Sequence, residues 1–210
     1  MSWPVRVVLA VLGMALVAPP SYAFKRIKTS TGNPIFWDDS DLPLDMRLNK
    51  KGSADDKAGS LAACDDAADE WNDVSNTSFD FRSLGRVSQT AASDTQSGPD
   101  FKNLTVWRER NFPFGEEVLA VTISWFFTSG ELVDSDIIVN GEDHRWATFN
   151  RAQAQDFFDV FTVILHEMGH VLGLDHVSKR SAIMYPFVAP GDVKHLGNDD
   201  IKGVRAIYPP

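Results

Sequence analysis

Hydrophobic and polar residues alternate along several short stretches of this chain, which is the pattern of strands with one buried face. Leu44, Met46 and Leu48 alternate in this way at the end of the segment 36–49. Short apolar segments predict further strands at 78–82, 103–107, 118–127 and 134–140. Stretches rich in Gly, Ser, Asp and other polar residues predict loops at 50–60 and 87–100.

Apolar positions spaced three and four residues apart predict three helices. The first covers roughly 60–74 and carries Cys64 on its apolar stripe, where we expect a buried, unreactive thiol. The second begins near Asp156, which can cap it, and ends before Gly173. The third begins near Asn198, which can cap it, and Asp199 and Asp200 lie at the positive end of its dipole. Strands with one helix among them and two helices later predict a mixed α+β domain.

The first 23 residues have the composition of a secretory signal peptide. Arg6 gives a positive start, residues 7–18 are apolar, and Ser21-Tyr22-Ala23 offers the small residues suited to cleavage. An uncleaved membrane anchor is the alternative, but this apolar run is shorter than the about 20 residues that span a bilayer. We therefore predict a secreted or periplasmic protein whose mature domain covers residues 24–210.

The chain is acidic, with a net charge of −9 that becomes −10 without the first 23 residues, which hold one arginine and no acid. This charge argues against nucleic acid or an anionic membrane as a partner, because both attract basic surfaces. Cys64 is the only cysteine, so no disulfide can form within the chain. We expect a monomeric domain that rests on its core, with or without a metal.

The segment VILHEMGHVLGLDH, residues 163–176, holds three of the five histidines. His166 and His170 are four residues apart, so on a helix both project from one face and can bind one zinc ion. Gly173 can adopt a positive φ, end the helix and turn the chain back, so that His176 becomes a third ligand. Glu167 can act as the base for a water at the metal.

Three protein ligands leave one coordination position for water, which is typical of a catalytic zinc site. A structural zinc site and a coincidental set of histidines are the alternatives. The full spacing H-E-x-x-H-x-x-G-x-x-H argues against coincidence, and no adjacent cysteine or histidine offers a fourth ligand. His144 and His195 have no partner at ligand spacing, so we expect surface or hydrogen-bonding roles for them.

The extended motif, followed by SAIMYP at 181–186, resembles the metzincin zinc peptidases and, among them, the matrixins, which include the matrix metalloproteinases. The resemblance implies one metzincin-like catalytic domain, with a mixed, mostly parallel twisted sheet and three helices, that uses one zinc ion to cleave peptide or protein substrates. Met184 would be the methionine beneath the zinc. Leu119 and Ala120 would pair with an extended substrate, and Pro186 would border a pocket for one of its side chains.

The chain also departs from the matrixin pattern. Val121 replaces a histidine that binds a second zinc in many matrixins, so we predict no second zinc. No inhibitory prodomain cysteine is recognisable, because Cys64 is in the wrong place. The acids at 140–146 are out of register with a calcium-binding segment of the family, which favours solvated loop charge over Ca²⁺. A zinc module without activity and a hydrolase of non-protein amides are the alternative functions, and Glu167 argues against the first.

Overall fold

The computed structural model describes residues 6–11, 24–82, 84–92, 97–148 and 156–210, with the backbone alone for residues 6–11. The strands are β1 (Arg6–Val11), β2 (Lys25–Arg26), β3 (Arg47–Asn49), β4 (Gly85–Val87), β5 (Leu104–Arg108), β6 (Ala120–Phe126), β7 (Leu132–Asn140), β8 (Trp146–Ala147), β9 (Phe158–Asp159) and β10 (Leu174–Asp175). The helices are α1 (Lys57–Asn72), α2 (Val160–Val171) and α3 (Asn198–Ile207), with a short 3-10 turn at Asp39–Asp41. Within the described ranges, no helix is both long enough and apolar enough to cross a membrane.

Six strands form the main sheet in the order β1-β6-β7-β5-β3-β4. The pairs β3–β4, β3–β5 and β5–β7 are parallel, whereas β6 runs antiparallel to β7. Two short ladders, β10–β2 and β8–β9, lie outside this sheet. A mixed, mostly parallel sheet with three helices confirms the predicted α+β fold.

Strand β1 lies within the predicted signal peptide and pairs antiparallel with β6. The register places Val11 beside Val121 and Arg6 beside Phe126, so the ladder begins one residue after Ala120. The other residues of the segment 1–23 lie outside the described ranges. Cleavage after residue 23 therefore stays a prediction.

The main core lies between one face of the sheet and the helices α1 and α2. Trp71 of α1 is fully buried, and its indole Nε1 donates to the carbonyl oxygen of Leu165 on α2 at 3.0 Å. Cys64 is also fully buried, as predicted, and burial raises the pKa of its thiol. A smaller cluster, which includes Val121 and Ile123 of β6, covers the other face of the sheet. Because side chains alternate along a strand, Ala120 and Thr122 face α2.

Two boundaries near α1 differ from the sequence prediction. The helix begins at Lys57, inside the predicted loop 50–60, because the side chain of Asp56 caps it by accepting from the Gly59 amide at 3.1 Å. The segment 78–82 is not a strand and pairs only through one bridge, between Leu44 and Phe81. The chain joins the sheet a few residues later, in β4.

The starts of α2 and α3 also differ in detail. Asp159, and not Asp156, caps α2, and its Oδ1 accepts from the Thr162 amide at 2.8 Å. The two residues before Val160 are extended and form β9, which excludes an earlier helix start. Gly197, and not Asn198, is the cap residue of α3, and the Asp200 carboxylate accepts from the Gly197 amide at 2.8 Å.

Candidate metal centre

The turn after α2 brings the third histidine back to the first two. Gly173 has a φ of 96°, and its amide donates to the carbonyl oxygen of His170 at 2.9 Å. A Cβ at this position would lie 2.9 Å from the carbonyl oxygen of Ile35, so only glycine fits without strain. This positive φ confirms the predicted role of Gly173 in ending the helix. His176 follows three residues later, beside the helix face that carries His166.

The three histidines form a compact triangle of nitrogen atoms. The Nε2 atoms of His166, His170 and His176 are 3.1 Å apart in each of the three pairs. A point about 1.8 Å from each corner lies in the plane of this triangle, so an ion slightly above it reaches zinc–nitrogen distances of about 2.0–2.1 Å. The triangle therefore fits one zinc ion and leaves the side away from the rings for a further ligand.

The other ring nitrogens fix which atoms face the ion. The Nδ1 of His166 lies 2.6 Å from the carbonyl oxygen of Ile183, and the Nδ1 of His170 lies 2.8 Å from that of Leu174. A carbonyl oxygen only accepts, so both Nδ1 atoms carry the proton and both Nε2 atoms present lone pairs. Burial lowers the pKa of His166 to about 3 and also lowers the pKa of His170, so both rings stay neutral, as metal ligands must be.

Glu167 follows His166 in the chain and is completely buried. Its Oε2 accepts a hydrogen bond of 2.6 Å from the hydroxyl of Thr122 on β6. Among the described residues, no group donates to its Oε1. Burial raises the pKa of Glu167 to about 8, and the bond from Thr122 opposes this rise. A cation on the histidines would favour the ionised carboxylate, because an opposite charge nearby lowers an acid's pKa.

Met184 packs against Gly169 of α2, the helix that carries His166 and His170. It is 2% exposed, and a Cβ at Gly169 would be only 2.2 Å from its sulfur. The Val177 amide donates to the Met184 carbonyl oxygen at 3.0 Å, which closes the loop after the third histidine. The Asp200 carboxylate accepts from the Met184 amide at 3.2 Å and from the Ile183 amide at 2.9 Å. The loop that follows His176 is therefore held by α3.

The predicted substrate residues lie in two separate segments of the chain. Leu119 and Ala120 are buried where β6 begins, and the Asn140 amide donates to the Leu119 carbonyl oxygen at 2.9 Å. Pro186 is half-buried in the loop after Met184. A cavity of about 10 Å³ next to His166 is lined by other residues of this region, namely Thr162, Val163, Ile183, Tyr185, Val188 and Lys194. Contact of Leu119, Ala120 and Pro186 with substrate stays a prediction.

His195 is exposed and hydrogen-bonded, as the sequence predicts, whereas His144 is half-buried and packs against an aromatic ring. The Nδ1 of His195 lies 2.7 Å from a carboxylate oxygen of Glu70, and His144 packs edge-on against Phe158. In the loop 140–146, the side-chain oxygen of Asn140 accepts from the amides of Glu142 and Asp143. Calcium in this loop stays the less favoured prediction.

Sequence reasoning missed two residues of the site, Thr122 and Asp200. Thr122 is a polar position inside the apolar run 118–127, and a buried polar residue in a strand is a signal worth following. The sequence gives Asp200 only a place at the positive end of the α3 dipole, but its carboxylate also accepts from the backbone amides of Ile183, Met184 and Gly197. Both contacts join residues that are distant in sequence.

Comparison with known proteins places this centre in a family. The chain is 43% identical to interstitial collagenase of Sus scrofa over 70 residues, which are 33% of this chain and 14% of that protein. It is 50% identical to metalloendoproteinase 1 of Glycine max over 52 residues, which are 24% of this chain and 17% of that protein. It is 32% identical to metalloendoproteinase 5-MMP of Arabidopsis thaliana over 133 residues, which are 50% of this chain and 37% of that protein.

Each of these matches covers well under two thirds of the relative's own length. The family model of the matrixins, by contrast, matches residues 37–209, which are most of the chain and include the three histidines, Glu167 and Met184. The chain therefore belongs to the matrixin family of zinc-dependent endopeptidases.

Proposed function

We propose that this protein is an exported endopeptidase that hydrolyses peptide bonds with one zinc ion held by His166, His170 and His176. The observation that carries the proposal is the 3.1 Å triangle of Nε2 atoms with a buried glutamate as the next residue. When bound there, zinc supplies a Lewis acid for the peptide carbonyl and makes water more acidic. Every proton transfer is then left to the chain's own groups.

Glu167 is the general base in this proposal. Its Oε1 takes a proton from the attacking water, and the same carboxyl later donates that proton to the nitrogen of the leaving amine. Thr122 already binds Oε2, so Oε1 is the oxygen left for the water. Complete burial keeps bulk water away from the carboxylate, which strengthens its interaction with charges that develop during the reaction.

The substrate would lie extended along Leu119 and Ala120, adding a strand to the edge of the sheet. The antiparallel pairing of β1 with β6 supports this placement, and its register starts at Val121, beyond the proposed substrate residues. The cavity beside His166 holds about one water molecule at 10 Å³. We expect a small side chain next to the scissile bond unless Val188 and Lys194 move, with Pro186 at the rim.

Export rests on the leader-like composition of residues 1–23, and a peptide or protein substrate rests on the family. We propose a monomer that binds neither nucleic acid nor, once the leader is removed, a membrane, which its acidic charge supports. Both the export and the maturation site can be read from one preparation. The full chain should be secreted by a host with an export pathway, and the purified protein should begin near Phe24.

The test of the enzyme compares that secreted protein with a Glu167→Ala variant and with Glu116→Ala, a matched change at an exposed glutamate. Metal analysis should find one zinc per chain in all three. Wild type and Glu116→Ala should cleave a peptide library, whereas Glu167→Ala should be slower by roughly 10²–10⁴-fold, the usual contribution of a general base. A zinc-loaded wild type that cleaves no more than Glu167→Ala would instead identify a binding module without activity.

A further inference from the structure

Thr122 makes a contact that the zinc motif does not account for. Its hydroxyl lies 2.6 Å from Oε2 of Glu167 and 3.2 Å from the carbonyl oxygen of the same residue. A threonine hydroxyl has one proton to donate. The shorter distance assigns that proton to the Glu167 carboxyl oxygen, and a cation on the histidines would strengthen the bond by favouring the ionised acceptor.

The donor is held in place by the sheet. Thr122 is 1% exposed and lies in the middle of β6, opposite Ile137 of β7 and Ala10 of β1. A β-branched side chain in a strand has restricted χ1 freedom, so the direction of the hydroxyl is fixed by the backbone. The acceptor is on α2, so this bond joins β6 to the helix that carries His166 and His170.

We propose that Thr122 is a positioning residue for Glu167: it binds one carboxylate oxygen and so directs the other towards the attacking water. This inference rests on the proposed peptidase function. Oε1, for which no donor is found among the described residues, is the atom that this arrangement presents to water. Without the hydroxyl, the buried carboxylate can rotate and lose the orientation needed for proton transfer.

A merely structural role makes a different prediction. If the hydroxyl only satisfies the Glu167 carbonyl oxygen at 3.2 Å, its removal changes stability and leaves turnover unaffected. If it positions the carboxylate, its removal lowers kcat and leaves KM nearly unchanged, since the substrate contacts are intact. Serine keeps the hydroxyl and loses only a methyl group, so it should restore turnover.

The experiment uses the secreted protein and four variants: Thr122→Val, Thr122→Ala, Thr122→Ser and Thr105→Val. Thr105 is the matched control, because it is a fully buried strand threonine whose hydroxyl has no partner among the described residues. We expect Thr122→Val and Thr122→Ala to lower kcat roughly 10- to 100-fold at constant zinc content, the effect of losing a bond to a charged group. Thr122→Ser and Thr105→Val should keep most of the wild-type kcat.

The outcomes separate the two proposals. If Glu167→Ala is as active as wild type, the proposed function fails and this inference fails with it. If Glu167→Ala is inactive but the alanine variant of Thr122 turns over like wild type, only the positioning role is overturned. Loss of activity in proportion to zinc content, or failure of serine to restore kcat, also overturns it. If the valine variant does not fold, the comparison of alanine with serine decides.

Discussion

Replacing Gly169 with alanine should destabilise the protein through Met184. The new Cβ would lie 2.2 Å from the Met184 sulfur, 3.2 Å from its methyl carbon and 3.3 Å from Cζ2 of Trp71. Overpacking of a buried site costs about 1–3 kcal/mol. The higher helix propensity of alanine offsets about 1 kcal/mol of that cost. We therefore expect a net loss of up to about 2 kcal/mol in the free energy of unfolding.

The clash with the sulfur can be isolated by a double-mutant cycle with Met184→Ala. In the Met184→Ala background the space for the new methyl exists, so Gly169→Ala should be neutral or stabilising there. The coupling energy should thus be about 1–3 kcal/mol. Urea unfolding at a fixed free zinc concentration measures all four proteins, and Gly85→Ala is the control, because a Cβ at Gly85 meets no atom within 4 Å. A coupling energy near zero would refute the packing of Met184 against Gly169 of α2.

Three further changes test the same centre. Gly173→Ala places a side chain at a φ of 96° and 2.9 Å from the Ile35 carbonyl oxygen, so the free energy of unfolding should fall by about 1–3 kcal/mol and zinc binding should weaken. A zinc affinity equal to that of wild type in a competition titration would contradict this expectation. Asp200→Asn leaves one backbone amide facing a donor, so thermal unfolding should show a loss of about 1–3 kcal/mol in the free energy of unfolding. The control Asp45→Asn, at an exposed ion pair, should lose less than about 1 kcal/mol, and equal losses would argue against the buried bonds of Asp200. Removing zinc with a chelator should abolish proteolysis and lower the melting temperature. Adding zinc at 1,000 times its dissociation constant should restore about 4 kcal/mol of the free energy of unfolding, and a melting temperature that does not change with zinc would mean that the native fold does not bind it.

The clustering of the three histidines was predictable because its geometry is local. His166 and His170 lie one turn apart on a helix, and Gly173 takes the positive φ that the sequence analysis assigns to it. The thiol of Cys64 is buried because helix periodicity places it on the apolar stripe. These inferences need only the repeat of a helix and the conformational freedom of glycine.

The parts that could not be predicted depend on pairings between distant segments. Nothing in the run 118–127 indicates that Thr122 lies against a helix residue 45 positions later. The predicted start of α2 was wrong because Asp156 and Asp159 are equally good cap residues by sequence. The pairing of β9 with β8 decides between them. The strand expected at 78–82 is replaced by β4, since strand choice there depends on the register with β3.

The Nδ1 bonds of His166 and His170 have a consequence for how the proposed zinc ion would be kept. Their acceptors, Leu174 and Ile183, lie on either side of His176, so the loop that carries the third ligand also orients the other two. Opening that loop would displace His176 and remove the Nδ1 acceptors of His166 and His170 at the same time, so an ion held by the three rings would stabilise the closed loop. Metal loss and loop opening are then one cooperative event, and the exchange rate of the Val177 amide, bonded across the loop to Met184, should report both.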